Sequence, residues 1–136
     1  MSDILSLRAA HWRAMVDHVR RHLPEEACGL LGGPPGQVEA IYPVDNVLHS
    51  PVAYEMDARA QVEAMVELEA QGWDVVGIFH SHPAGPPVPS TTDVAQAYYP
   101  ESVYVILVPQ PDGAWTGRGF RIEAGRVAEV SLRVLE

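Results

Sequence analysis

The chain has 136 residues, 47% hydrophobic and 20% charged, with a formal net charge of −9. That length suits one compact domain, and the composition is too apolar for a disordered chain. The excess of 18 acidic over nine basic residues disfavours nucleic acid or an anionic membrane as partner, and the lone Cys28 excludes an internal disulfide or a Cys-rich zinc finger. Met1-Ser2-Asp3-Ile4-Leu5 lacks the basic region and long apolar stretch of a secretory signal, so none is expected. No apolar run approaches the ~20 residues of a membrane helix. A cytoplasmic address is expected.

Leu5, Ala9, Trp12, Val16, Val19 and Leu23 recur at spacings of three and four, which predicts an amphipathic helix from about Leu5 to His22, ended by Pro24. Ala27 to Leu31 is a short apolar run before Gly32-Gly33-Pro34-Pro35-Gly36, hence a strand and a turn. Gln37 to Val44 returns as a hairpin strand, and Val52 to Met56 is a further extended piece. Asp57 is placed to cap a second helix, about Ala58 to Gln71, with Ala58, Val62, Met65 and Leu68 inward. Its Glu63, Glu67 and Glu69 read as a solvated face. Trp73 to His80 is an apolar run typical of an interior strand. A loop with Pro83, Pro86, Pro87 and Pro89 follows, then a short helix from about Thr91 to Tyr98. Ser102 to Pro109 is another buried strand. Ala114 to Ile122 and Arg126 to Val134 form a last hairpin around Glu123-Ala124-Gly125. The fold class is α/β, a single domain with a mixed sheet flanked by helices.

The chemistry is concentrated in His80-Ser81-His82. Alternate residues of a strand share a face, so both imidazoles project the same way, at the strand end where open α/β sheets place their sites. A His-x-His alone is common by chance. Ser90-Thr91-Thr92-Asp93 adds to it, with two readings open: a helix cap, or a third metal ligand from Asp93 brought back by the proline-stiffened loop. A His₂Asp set suits catalytic zinc, with three protein ligands and one open position. Amide hydrolysis also needs a proton carrier, and Glu25-Glu26 stand directly before the apolar strand, where a charge is costly unless used. Cys28 sits among apolar neighbours with no base assigned to it, and His11, His18, His22 and His49 read as structural or surface residues.

Three separated stretches then match one pattern. Glu26-Ala27-Cys28-Gly29-Leu30-Leu31-Gly32, His80-Ser81-His82-Pro83 and Ser90-Thr91-Thr92-Asp93 resemble the JAMM (MPN-plus) metalloprotease signature: a Glu separated by two residues from a Gly, then H-[ST]-H, seven residues, and S-x-x-D. The stretch from Asn46 through Asp57 is similar to the short bacterial branch of that family. The resemblance implies a JAMM/MPN (cytidine deaminase-like) fold over residues 1–136. It implies one zinc ion held by His80, His82 and Asp93, with Glu26 as general base and Ser90 donating to the oxyanion. A deaminase proper needs His-x-Glu and Pro-Cys-x-x-Cys, which this chain lacks. The implied function is hydrolysis of the amide at the C-terminal Gly-Gly of a ubiquitin-like or sulfur-carrier protein, with Val52 to Met56 and Pro83 to Pro89 as groove walls. The alternative is a non-catalytic interaction module with a structural zinc, against which Glu26 stands.

Overall fold

The computed structural model describes residues 4–136. Chain order is β1 (Ile4–Arg8), α1 (Ala9–Arg21), β2 (Cys28–Gly33), β3 (Ala40–Val44), α2 (Ala58–Ala70), β4 (Asp74–Ser81), α3 (Thr91–Ala95), β5 (Val103–Pro109), β6 (Trp115–Glu123) and β7 (Arg126–Leu135). The strands form one mixed sheet in the order β1-β7-β6-β5-β4-β2-β3. Only β1–β7 and β4–β5 run parallel. The sheet curls until its ends meet: Ser6 N–H donates to the Gly36 carbonyl, and Val38 N–H to the Ser6 carbonyl.

Strand period 2 sorts the core onto two faces. Leu31, Phe79, Val105 and Leu107 pack with Met15 and Val19 of α1. Leu30, Ile78, Tyr104 and Ile106 pack on the other face with Ala64 of α2. Gly29 is required where β2 passes under Phe79, because a Cβ there would strike that ring and the Tyr42 carbonyl. No helix among the described residues is long and apolar enough to cross a membrane.

Four sequence expectations need correction. Leu5 to Arg8 is not helix but β1, with Leu5 and Leu7 inward; it pairs with β7, and α1 starts only at Ala9. The three-four spacing that includes Leu5 is coincidental; Met15 and His18 join Val19 as the buried residues of α1, while Leu23 is exposed. On α2 the buried residues are Ala64 and Leu68, and Val62 is 58% exposed; the Asp57 cap holds, its carboxylate accepting from Ala60 N–H at 2.9 Å. Val52 to Met56 forms no strand beyond one bridge, Asn46 to Met56, and α3 stops at Ala95, short of Tyr98.

Antiparallel pairing of β2 with β4 sets Cys28 opposite His80. The pairing runs one residue further. Ser81 N–H donates to the Ala27 carbonyl at 3.0 Å, and Ala27 N–H donates back to the Ser81 hydroxyl at 2.9 Å. Ser81 is fully buried, so its hydroxyl is the partner that satisfies the Ala27 amide. Ser81→Ala would leave that amide buried and unpaired, and should lower the unfolding free energy of the metal-free protein by ~1–3 kcal/mol in urea titration.

Candidate metal centre

Glu26 stands just before β2, and both its backbone groups are tied to the loop ahead of α2. Its N–H donates to the Ser50 carbonyl at 2.8 Å, and its carbonyl accepts from Asn46 Nδ2 at 2.9 Å. The side chain is thereby directed inward, with only 4% of the residue exposed, and Oε1 meets no hydrogen-bond partner. Burial pushes the carboxyl up to about 7; His82 opposes the rise and Asp93 adds to it. Glu25 turns outward and pairs with His49 at 3.2 Å. Of the two adjacent glutamates, the structure sends one to the site and one to the surface.

His80 ends its strand's inner face, and His82 follows the Ser81 link, so the two rings approach with 2.9 Å between their Nε2 atoms. Asp93 Oδ2 lies 3.2 Å from His80 Nε2 and 3.0 Å from His82 Nε2. The same oxygen accepts Ser90 N–H at 2.9 Å, and Asp93 N–H donates to the Ser90 hydroxyl at 3.0 Å, a complete capping box. The two readings of Ser90 to Asp93 therefore coexist in one side chain. Burial works against the Asp93 charge, yet hydrogen bonds from His80 and His82 hold its carboxyl well below the usual carboxylate range. Burial lowers the pKa of His80. Burial also works against a charged His82, but the bonds to Asp93 and Pro86 outweigh it and raise that ring.

The donor set fits a divalent cation. His82 Nδ1 donates to the Pro86 carbonyl at 2.8 Å, which places the lone pair of the neutral ring on Nε2, facing the centre. With both rings neutral and unprotonated at Nε2, three acceptor atoms face one another at 2.9–3.2 Å. Ligand atoms around a tetrahedral zinc lie about 3.3 Å apart at ordinary bond lengths. One proton can serve only one pair of these atoms, whereas a central cation serves all three. Glu26, His80 and His82 also lie within 4.8 Å of one another by their ligand atoms. Glu26 thus stands a step behind the tighter His80, His82 and Asp93 set.

A cavity of about 250 Å³ opens beside Asp93, lined by Tyr54, Glu55 and Met56 and by Tyr98, Tyr99 and Tyr104 among others. Of the stretch Val52 to Met56, only Tyr54, Glu55 and Met56 line it, and none of Pro83 to Pro89 does. A larger cavity of about 470 Å³ lies at the far end of β4, by Asp74 and Val103, away from the histidines. Cys28 is buried and its thiol, pushed up to about 12 by burial, bonds the Val44 carbonyl: a packing residue. His18 donates to the Cys28 carbonyl and His22 to the His18 carbonyl, so both rings are engaged in structure. The sequence placed Tyr54 only within a groove wall and gave Asn46 no role of its own. The Asn46 side chain bonds Glu26, Leu48, Ala53 and Glu55, and Tyr54 stacks on His80. Their signal was the stretch Asn46 to Asp57, whose likeness was visible but whose contacts were not.

Residues 8–118 match the family described as prokaryotic homologs of the JAB domain. The desampylase of Haloferax volcanii is 41% identical over 132 residues, covering 88% of this chain and 94% of that protein. The CysO-cysteine peptidase of Mycobacterium tuberculosis is 37% identical over 135 residues, covering 98% and 92%. The crystal structure of a JAB1/MPN domain protein from Archaeoglobus fulgidus superposes with a TM-score of 0.62 at 16% identity, covering 96% of this chain and 97% of that one, a likeness of fold. The chain belongs to the prokaryotic JAB-domain family, with the JAB1/MPN fold.

Proposed function

We propose that the protein is a zinc-dependent peptidase or isopeptidase that hydrolyses the amide at the C-terminal Gly-Gly of a ubiquitin-like or sulfur-carrier protein. The observation that carries this reading is Glu26: a buried carboxyl with an unpartnered oxygen, beside two histidines whose Nε2 atoms converge with Asp93. A purely structural metal has no use for it. His80, His82 and Asp93 would hold the ion, which when bound polarises a carbonyl and makes water acidic near neutrality. The relatives' names, desampylase and CysO-cysteine peptidase, support the substrate class. Residues 1–136 would make up one metalloprotease domain, because β1 and β7, which reach beyond the two ends of the family match, pair with each other in the sheet.

Each side chain then has a task. Glu26, with a carboxyl near 7, takes a proton from the attacking water and returns it to the leaving amine as the C–N bond breaks. The Ser90 hydroxyl oxygen accepts Asp93 N–H, which leaves its own O–H hydrogen to donate to the oxyanion. Asp93 supplies the fixed negative charge, and the Pro86 carbonyl keeps the His82 ring in the ligating tautomer.

Glu26→Gln keeps the shape and removes the proton carrier. Metal analysis should still find about one zinc per chain, while turnover falls by ~10²–10⁴. Loss of zinc along with turnover would make Glu26 a ligand instead. Ser90→Ala should cost ~0.5–2 kcal/mol as a lost cap, and also slow turnover per folded molecule by ~10²–10³ if the hydroxyl serves the oxyanion. An unchanged rate per folded molecule would reduce Ser90 to a cap. The substrate class is tested with folded carriers ending in Gly-Gly joined to cysteine or to a lysine side chain, the products being weighed by mass spectrometry. Native protein should release the carrier after its second glycine; digestion of casein with the adducts left intact would defeat the assignment.

A further inference from the structure

The two histidines of the centre are held in different ways. His82 is anchored from behind by its Nδ1–H to Pro86. His80 has no such bond: its Nδ1 is buried and meets no hydrogen-bond partner among the described residues. A ligating imidazole needs its plane fixed, because rotation about the Cβ–Cγ bond swings Nε2 away from the shared centre. That is why ligating histidines almost always donate their second N–H.

The face of His80 is covered instead. The Tyr54 ring lies against it, with centroids 4.5 Å apart and planes inclined by 30°. His82 closes the other approach as an edge contact, at 4.7 Å and 67°. Tyr54 is itself clamped in sequence. Asn46 Nδ2 donates to the Ala53 carbonyl at 3.1 Å, and Asn46 Oδ1 accepts from Glu55 N–H at 3.0 Å, which fixes the residues on either side of it. The same Asn46 Nδ2 also donates to the Glu26 carbonyl. One amide therefore sets the loop that carries the ring and the backbone that carries the buried carboxyl.

We infer that Tyr54 is the positioning residue for His80, fixing its ring plane by stacking where a hydrogen bond would ordinarily do so. The aromatic face performs this task, so the phenolic oxygen is dispensable for it. The inference rests on the reading of His80 as a metal ligand.

The experiment compares native protein with Tyr54→Phe and Tyr54→Leu. Zinc affinity is measured by competition with a chromophoric chelator, and the ligand field by visible absorption of the cobalt-substituted protein. Tyr54→Phe should match native in both readouts. Tyr54→Leu should bind zinc about tenfold more weakly or worse, the scale of a lost outer-sphere partner, and its cobalt bands should change. Native affinity and native bands in Tyr54→Leu would overturn the inference, as would a Phe variant as weak as the Leu variant. Should Tyr54→Leu not fold, Tyr54→Met fills the same space with a flexible chain and takes its place. The native protein offers a test without any variant: His80 ring protons should show the upfield shift of a stacked neighbour, and their absence from that range overturns the stacking role. A native chain that takes up no zinc would remove His80 as a ligand, and this inference with it; tight native binding with an unaltered Leu variant removes the stacking role alone.

Discussion

Everything at the site depends on the reciprocal bonds between Ala27 and Ser81. In an antiparallel pair the start of one strand meets the end of its neighbour, so the entrance of β2 and the exit of β4 are adjacent by topology. Topology alone does not fix the last residue. The side chain of Ser81 adds a bond where the regular ladder is running out, and thereby locks Glu26 beside His80 and His82 at the sheet's edge of order. The middle residue of the His-Ser-His tripeptide is thus a structural clasp, with its hydroxyl on the side of the strand away from the two imidazoles.

The interior so assembled is electrostatically expensive. A buried carboxyl with an unpartnered oxygen, two buried imidazoles and a carboxylate gain nothing for packing. Such groups are destabilising unless their charges and lone pairs are answered. The apolar faces of the sheet carry that cost: Phe79, Ile106, Leu107 and Ile122 are almost wholly buried, each contributing ~1.5–3 kcal/mol of transfer free energy. Local discord with a well-packed surround is the pattern expected where a chain is shaped by chemistry.

Much of this was legible before any coordinates. Strands β2, β4, β5, β6 and β7 announce themselves as apolar or alternating runs between glycine and proline, and the candidate ligands His80, His82 and Asp93 occur at spacings that chemistry restricts. What was illegible is non-local. Residues 4–8 satisfy helical and strand periods equally over so short a window, and only β7, at the other end of the chain, decides between them. Val62 and Ala64 lie on nearly opposite faces of α2, and tertiary packing turns the face of Ala64 and Leu68 inward. The work of Asn46 and Tyr54 depends on how an irregular loop folds back over β2 and β4, which no periodicity encodes.

The double engagement of Asp93 Oδ2 has a consequence for cooperativity. A helix of five residues cannot pay for its own nucleation, so α3 exists because outside contacts hold its first turn. Those contacts are the capping bond to Ser90 and the approach to the two histidines, and they share one oxygen atom. Helical order after the proline loop and the approach of Asp93 to the two imidazoles therefore rest on the same oxygen atom. Drawing Asp93 away from its neighbours removes the bonds that cap the helix start, and fraying that first turn removes the carboxylate from the two histidines. The short segment from Ser90 to Ala95 thus joins a helix start and the histidine pair through one carboxylate.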